Sequence, residues 1–211
     1  MRTLLRVFFF FLYHQFAFAY DLVAAAVSLG HWKNWVLEVI PFIEGIRTLE
    51  IGHGPGHLQR VLLSRKLDSV AIDESSSMGR LARRNTENIP LWDGSARLTR
   101  GLAQFLPFAD RSFDTIIATF PAEYFVDPLT LSEVRRCLSD GGRFVVLPAV
   151  LPKNWFLSWL FKVTGQAPPD ALEVIQEKLK KPFAETNFDV ETHVIERSSG
   201  TLIVLIASIP R

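Results

Sequence analysis

The chain has 211 residues, enough for one full core and too few for two comfortable catalytic domains. Apolar residues make up 48% and charged residues 21%, a balance that folds as a globule and excludes a disordered chain. A net charge of +1 and a single cysteine, Cys137, argue against a dedicated nucleic-acid binder, a disulfide framework, a thiolate zinc site and a three-cysteine iron–sulfur cluster, so no metal site is expected.

The N-terminus starts basic, carries an unbroken apolar run at residues 7–12 and ends on Ala17-Phe18-Ala19, the outline of a cleaved signal. His14 and Gln15 interrupt the run, and lengthening it to a membrane span would bury Asp21 at a cost of roughly 2.5–3.5 kcal/mol. The leading expectation is a retained helix that packs on the body as a lid, ahead of an interfacial membrane helix and of a cleaved signal. The expected location is cytoplasmic, with peripheral membrane contact through residues 1–19 as the variant reading. Residues 20–44 continue with helical spacing, with Leu22, Ala25, Ala26 and Leu29 on one stripe and Trp35, Leu37, Val39 and Ile40 beyond it.

From there, β-rich runs at 48–51, 69–72, 96–99, 115–119 and 143–147 alternate with helical patterns near 57–65, 76–85 and 129–138. Such alternation predicts a parallel sheet covered on both faces. Residues 152–181 read as an inserted helical segment opening on an aromatic run, and the one evident basic cluster, Lys178, Lys180 and Lys181, falls where cations suit the end of a helix. Two last strands, 188–196 and 201–208, are separated by Arg-Ser-Ser-Gly and predict an antiparallel hairpin at the sheet edge.

The first strand runs directly into Gly52-His53-Gly54-Pro55-Gly56, and a helix opens at His57. Glycines at such a turn permit positive φ and let a ligand lie against bare backbone at a strand tip. The dinucleotide fingerprint needs a third glycine where this chain places His57 or Gln59, so a nicotinamide reading fails. Asp73 closes the second strand 21 residues after Gly52, where a carboxylate accepts both hydroxyls of a ribose. Its plainer alternative is a cap for the next helix, shared with Glu74 and Ser75.

Four blocks carry a resemblance: Leu-Glu-Ile-Gly-His-Gly-Pro-Gly at 49–56, Ala-Ile-Asp-Glu-Ser-Ser-Ser-Met at 71–78, Leu-Pro-Phe-Ala-Asp-Arg-Ser-Phe-Asp at 106–114, and Glu-Val-Arg-Arg-Cys-Leu-Ser-Asp-Gly-Gly-Arg-Phe at 133–144. In this order they resemble the class I S-adenosylmethionine-dependent methyltransferases of the type 11 group, which includes ubiquinone- and menaquinone-biosynthesis enzymes. The resemblance implies a Rossmann-like α/β fold, a seven-stranded, mostly parallel sheet in the order 3-2-1-4-5-7-6 with the last strand antiparallel, helices on both faces and an N-terminal helical preface. It implies a single methyltransferase domain over 1–211, divided into a helical lid (1–45), a cofactor-binding core (46–148) and a helical insertion with the terminal hairpin (149–211).

The cofactor so implied is S-adenosyl-L-methionine. Glu50, Gly52, Gly54 and Gly56 would surround its methionine end, Asp73 would hold the ribose, Glu74 and Met78 would border the adenine, and Ala103 and Gln104 would approach the adenine edge. Tyr20 and Thr119 complete the implied set. This chain departs from the family at Leu102, where an aspartate is common. Methyl transfer from a sulfonium is an in-line displacement that needs alignment and exclusion of water rather than a nucleophilic residue. Glu123, Tyr124, His14 and His53 are the weak candidates for an acid or base, each with an ordinary structural role as its alternative. Cys137 reads as a small buried hydrophobe. The expected acceptor is small, apolar or amphiphilic, and not a nucleic acid. The second reading is a non-catalytic cofactor-binding or membrane-associated accessory protein that keeps the fold.

Overall fold

A run of β-branched and aliphatic residues with no charge, such as Thr115-Ile116-Ile117-Ala118-Thr119, is stable only as a strand buried on both faces. The computed structural model, which describes residues 30–87, 97–153 and 180–209, has seven strands of this general kind. They are β1 (Arg47–Ile51), β2 (Asp68–Asp73), β3 (Arg97–Arg100), β4 (Phe113–Thr119), β5 (Leu138–Pro152), β6 (Asp189–Arg197) and β7 (Gly200–Ser208). They form one sheet in the order β3-β2-β1-β4-β5-β7-β6, as expected. The pairings from β3 through β5 are parallel, and β7 runs antiparallel to both β5 and β6.

Side chains alternate across this sheet with a period of two. Ile116, Ala118, Phe144, Val146, Ile203 and Leu205 enter one core. Their neighbours Ile117, Val145, Leu147, Leu202, Val204 and Ile206 enter the other. On the second face, α1 (Trp32–Val36), a 3-10 stretch (Leu37–Phe42) and α2 (His57–Ser64) contribute Trp35, Val39, Leu58 and Leu62. On the first face, α4 (Pro128–Cys137) brings Leu131, Val134 and Cys137, and the helical residues 180–185 bring Phe183. Each such aliphatic or aromatic side chain stabilises the fold by about 1.5–3 kcal/mol on burial. Between α2 and β3 lies α3 (Ser76–Thr86), whose Met78 and Ala82 face inward.

Several boundaries differ from the sequence expectation. The helical pattern over 20–44 is, in its described part, only five α-helical residues followed by the 3-10 stretch, which contains Pro41. A proline there supplies no N–H and crowds the preceding turn, which ends the α-helix early. This part of the expected lid packs on the sheet face; residues 1–29 lie outside the described residues. Strand β5 is far longer than 143–147. Its early residue Leu138 pairs with Phe113 before a register break at Gly141 and Gly142, and its far end pairs with β7 out to Pro152 against Gly200. The strand therefore crosses the expected core boundary at 148. The inserted segment expected at 152–181 lies largely outside the described residues.

The loop 101–112 is fastened by one cation. Arg136 donates to the carbonyls of Leu106 and Phe108 and to Asp110 and Glu133, while Glu133 accepts from the Leu106 N–H. Close beside it, at the start of β4, Asp114 pairs with Arg47 and accepts from the Ile46 and Arg47 N–H groups and from the Ser139 hydroxyl, joining β1, β4 and β5. Among the described residues no helix is long and apolar enough to cross a membrane.

Candidate cofactor and active site

Strand β1 ends in three glycines with positive φ: Gly52 (71°), Gly54 (50°) and Gly56 (81°). They fold the chain back so that the Gly52 N–H donates to the Ile72 carbonyl of β2 at 2.8 Å and the Gly56 N–H donates to the His53 carbonyl at 2.9 Å. The three differ in what surrounds them. A side chain at Gly56 would meet the Ala82 methyl at 2.9 Å, so this glycine lets α2 start hard against α3. At Gly52 a side chain would collide with the Tyr124 hydroxyl. At Gly54 nothing lies within 4 Å of where a Cβ would stand. Only Gly54 presents bare backbone to open space, the condition for close approach by a ligand.

Asp73 ties this loop to the next strand tip. Its Oδ2 accepts from the Gly54 N–H at 2.9 Å and its Oδ1 from the Ser75 N–H at 2.8 Å. The cap of α3 is Ser75, whose hydroxyl accepts from the Met78 N–H. Asp73 is thus not the helix cap, and each of its oxygens retains accepting capacity toward a ligand. Asn85 donates to the Pro55 carbonyl at 2.9 Å and pins the loop from α3.

Glu50 sits one residue before the strand end, 1% exposed, with an Oε2 that has no partner. Burial holds its carboxyl well above the usual carboxylate range, the nearby Asp73 charge pushes the same way, and a hydrogen bond from the Gln59 backbone opposes both. His53 is also buried, and burial lowers its pKa against the pull of Asp73. Its Nδ1 lies 2.7 Å from the Gly54 carbonyl, which can only accept, so Nδ1 carries a proton. The Tyr124 hydroxyl, from the 3-10 turn Glu123–Val126, donates to the Ile51 carbonyl at 3.3 Å and stands over Gly52.

The flank is laid out as follows. Met78 is buried under the site, and Glu74 is exposed beside it, its carbonyl accepting from Arg100 Nε at 2.9 Å. Gly101 follows β3 and donates to the Asp73 carbonyl at 3.2 Å. Next come exposed Leu102 and buried Ala103, while Gln104 donates its amide to Asp127 at 3.1 Å, toward the N-terminus of α4. Thr119 ends β4, and Phe120 turns the chain with a positive φ of 48° while stacking on Trp32 at 4.0 Å. The sheet therefore brings Glu50, Gly52, His53, Gly54, Gly56, Asp73 and Tyr124 together around one strand tip, with Glu74, Met78, Ala103 and Gln104 along its β2–β3 side. His14 and Tyr20 lie outside the described residues. Sequence reading missed Asn85, Ser75 as the single cap, and Asp127, whose roles arise from contacts between distant segments. Among the described residues, no three His, Cys, Asp or Glu side chains are placed to hold a metal ion. Cys137 is fully buried, which lifts its thiol to about 11.

Residues 49–146 match the family described as a methyltransferase domain. Residues 49–146 thus form a methyltransferase domain of the class I, S-adenosylmethionine-dependent, type 11 group. Among curated relatives, a demethylmenaquinone methyltransferase of Thermotoga maritima is 36% identical over 68% of this chain and 62% of its own length. A ubiquinone/menaquinone biosynthesis C-methyltransferase of Blochmanniella floridana is 26% identical over 71% of this chain and 61% of its own length. The chain thus spans about three fifths of the relatives it matches. A solved S-adenosylmethionine-dependent methyltransferase of Methanosarcina mazei shares the fold with a TM-score of 0.60 at 21% identity, covering 81% of this chain and 96% of that one. The glycine loop and Asp73 lie inside this methyltransferase domain, and the hairpin β6–β7 lies beyond the family match.

Proposed function

We propose that this chain transfers a methyl group from S-adenosyl-L-methionine to a small apolar or amphiphilic acceptor, with a demethylated quinone as the first molecule to try. The carrying observation is the open backbone at Gly54 held against Asp73, a carboxylate with lone pairs to spare at the tip of the neighbouring strand. The residues fit the cofactor's chemistry. Glu50 has a buried, unpartnered oxygen that suits an ammonium, Asp73 suits a ribose diol, and Met78 gives an apolar floor for a base. When bound, the cofactor supplies a methyl on an already activated sulfonium.

The protein's part is placement. Gly54 admits close approach, Asp73 fixes register along the strand tips, and Gly101 to Gln104 bound the far side. Tyr124 stands at the mouth between the glycine loop and the turn after β4, where an acceptor would enter above the strand ends. His53, whose Nε2 is the basic nitrogen of an imidazole protonated on Nδ1, is the candidate in this cluster for taking a proton from an acidic acceptor. The whole chain acts in this reading as one cytoplasmic domain with residues 1–45 as its lid, and peripheral membrane contact through residues 1–19 is the alternative role for that N-terminus. The relatives' names support a quinone-like acceptor, and near-neutral composition supports an apolar molecule over nucleic acid.

The test supplies the full chain with methyl-labelled cofactor and demethylmenaquinone, alongside a fractionated lipid extract. Label in the quinone or another apolar fraction, lost in Asp73→Ala, is the expected result. Saturable cofactor binding with label in no fraction would favour the accessory-protein reading instead.

A further inference from the structure

The overall charge of +1 conceals a segregation that only the fold reveals. Helices α1, α2 and α3 form the outer layer on one side of the sheet, α1 beside α2 and α2 beside α3. None of the three contains an aspartate or glutamate. Their solvent side carries Arg60 on α2, Arg65 and Lys66 just past its end, and Arg80, Arg83 and Arg84 on α3, all exposed. Arg80, Arg83 and Arg84 follow the i, i+3, i+4 spacing that keeps them on one stripe, opposite the buried Met78, Ala82 and Thr86. Among the described residues no carboxylate pairs with any of these six.

Two acids of neighbouring elements are committed elsewhere, and two stand at the ends of α3, Glu87 four residues past Arg83. Asp68 bridges to Arg97 at 2.8 Å, Glu38 to Arg197 at 2.7 Å, and Glu74 and Glu87 flank the two ends of α3. Some cations elsewhere are paired. On α4, Arg136 is bonded to Glu133 and Asp110, and Lys181 lies 3.9 Å from Glu185. A stripe of arginines with no carboxylate partner among the described residues repels itself, and an opposing negative surface relieves that repulsion.

We infer that the α2–α3 face docks this protein on an anionic lipid surface. Two features favour lipid over a nucleic acid. The face is helical and, among the described residues, offers no aromatic platform: the exposed side chains of α2, α3 and the residues just past their ends are Arg, Lys, Ser and Glu87, and the nearby aromatics Trp35 and Trp32 are turned toward the core. The proposed acceptor is moreover an apolar molecule that partitions into membranes, a point that rests on the functional reading above. Both helices begin at loops of the cofactor site, α2 at Gly56 and α3 at Ser75, so docking would hold that site beside the bilayer while leaving its residues untouched. The interaction is electrostatic and independent of the apolar run at residues 7–12.

The experiment is co-sedimentation of the full chain, without cofactor, with vesicles of phosphatidylglycerol and phosphatidylcholine, and with pure phosphatidylcholine. Each basic residue near such a surface contributes about 5-fold in affinity, equivalent to about 1 kcal/mol. Arg80→Glu/Arg83→Glu/Arg84→Glu is therefore expected to weaken binding by at least ~100-fold. The milder Arg83→Gln/Arg84→Gln pair should lose ~10–30-fold. Lys180→Glu/Lys181→Glu, on the other side of the sheet, should leave binding unchanged, and salt of about 0.5 M should abolish it by screening. Unchanged thermal unfolding and unchanged cofactor affinity in the glutamine pair certify the fold.

Equal sedimentation of the arginine variants and the parent overturns the inference, as does binding to pure phosphatidylcholine that salt does not reduce. Binding to random-sequence RNA with no vesicle binding also overturns it, in favour of a nucleic-acid face. Methyl transfer to a water-soluble quinone analogue, measured in parallel, separates failure of this inference from failure of the functional reading.

Discussion

Glu50→Gln should make the protein more stable and its cofactor binding weaker. The wild-type carboxyl is buried, carries an oxygen without a partner and faces the charge of Asp73, so its ionised form is held at a cost in the folded state. Because the folded pKa is raised, the unfolded chain ionises first. Wild-type stability then falls as pH climbs from about 4.5 toward the raised folded value, and stays lower above it. Glutamine keeps the shape and an oxygen that can accept from the Gln59 backbone, but removes the charge. Leaving a buried polar group unsatisfied costs about 1–3 kcal/mol, more when it is charged, so the variant should gain about 1–2 kcal/mol at pH 8 and little at pH 4. For a chain of this size that is a rise of about 2–8 °C in Tm. Losing a charge-assisted partner for the cofactor's ammonium should weaken binding by about 1.5–3 kcal/mol, a factor of roughly 10–150. Thermal unfolding at the two pH values, with calorimetric titration of S-adenosylmethionine, measures both effects. A variant less stable than the parent at pH 8, or one that binds cofactor equally well, would refute the reasoning.

Asp73→Ala removes the acceptor of the Gly54 and Ser75 N–H groups as well as the expected ribose partner. Cofactor affinity should drop by about 1.5–3 kcal/mol and stability by a further 1–3 kcal/mol, read by calorimetry and denaturant unfolding. Gly52→Ala should destabilise through its collision with the Tyr124 hydroxyl, and Tyr124→Phe should relieve part of that loss, giving a coupling of about 0.5–3 kcal/mol in a double-mutant cycle. Additive effects would contradict the contact. Asp114 is held down to about 2 by Arg47 and two backbone N–H groups, so its contribution to stability is complete above about pH 4 and lost as pH falls toward 2. Asp114→Asn should flatten that part of the acid-unfolding profile.

The sheet was largely legible because its strands announce themselves locally. Ile116-Ile117 and Phe144-Val145-Val146 are unbroken apolar runs, and the Ser198-Ser199 turn sits between a mixed polar and apolar segment and the continuous apolar run at 202–207. The glycine loop and Asp73 were legible for the same reason: positive φ and a strand-end carboxylate leave a mark at fixed spacing. What escaped depends on contacts between distant segments. The far half of β5, including Pro148 and Pro152, looks unlike a strand until the long antiparallel partner β7 supplies its hydrogen bonds. Nothing around Gln104 signals that its amide turns to Asp127, and Asn85 reaches the Pro55 carbonyl from 30 residues away. Arg80, Arg83 and Arg84 stand within five residues of one another, but only the fold sets Arg60, Arg65 and Lys66 beside them, whereas the lysine cluster near 180 is conspicuous and includes a lysine already beside Glu185.

The central claim is that open backbone at Gly54 and the Asp73 carboxylate form the binding site for S-adenosylmethionine. Calorimetric titration of that cofactor into the full chain and into Gly54→Val tests it most directly. The parent should bind one equivalent with saturation. The variant, whose added Cβ meets no atom of the described residues within 4 Å, should lose at least ~10-fold in affinity beyond what its backbone strain of roughly 1 kcal/mol takes from stability. Equal affinity in the two proteins, with the variant folded, would contradict the account.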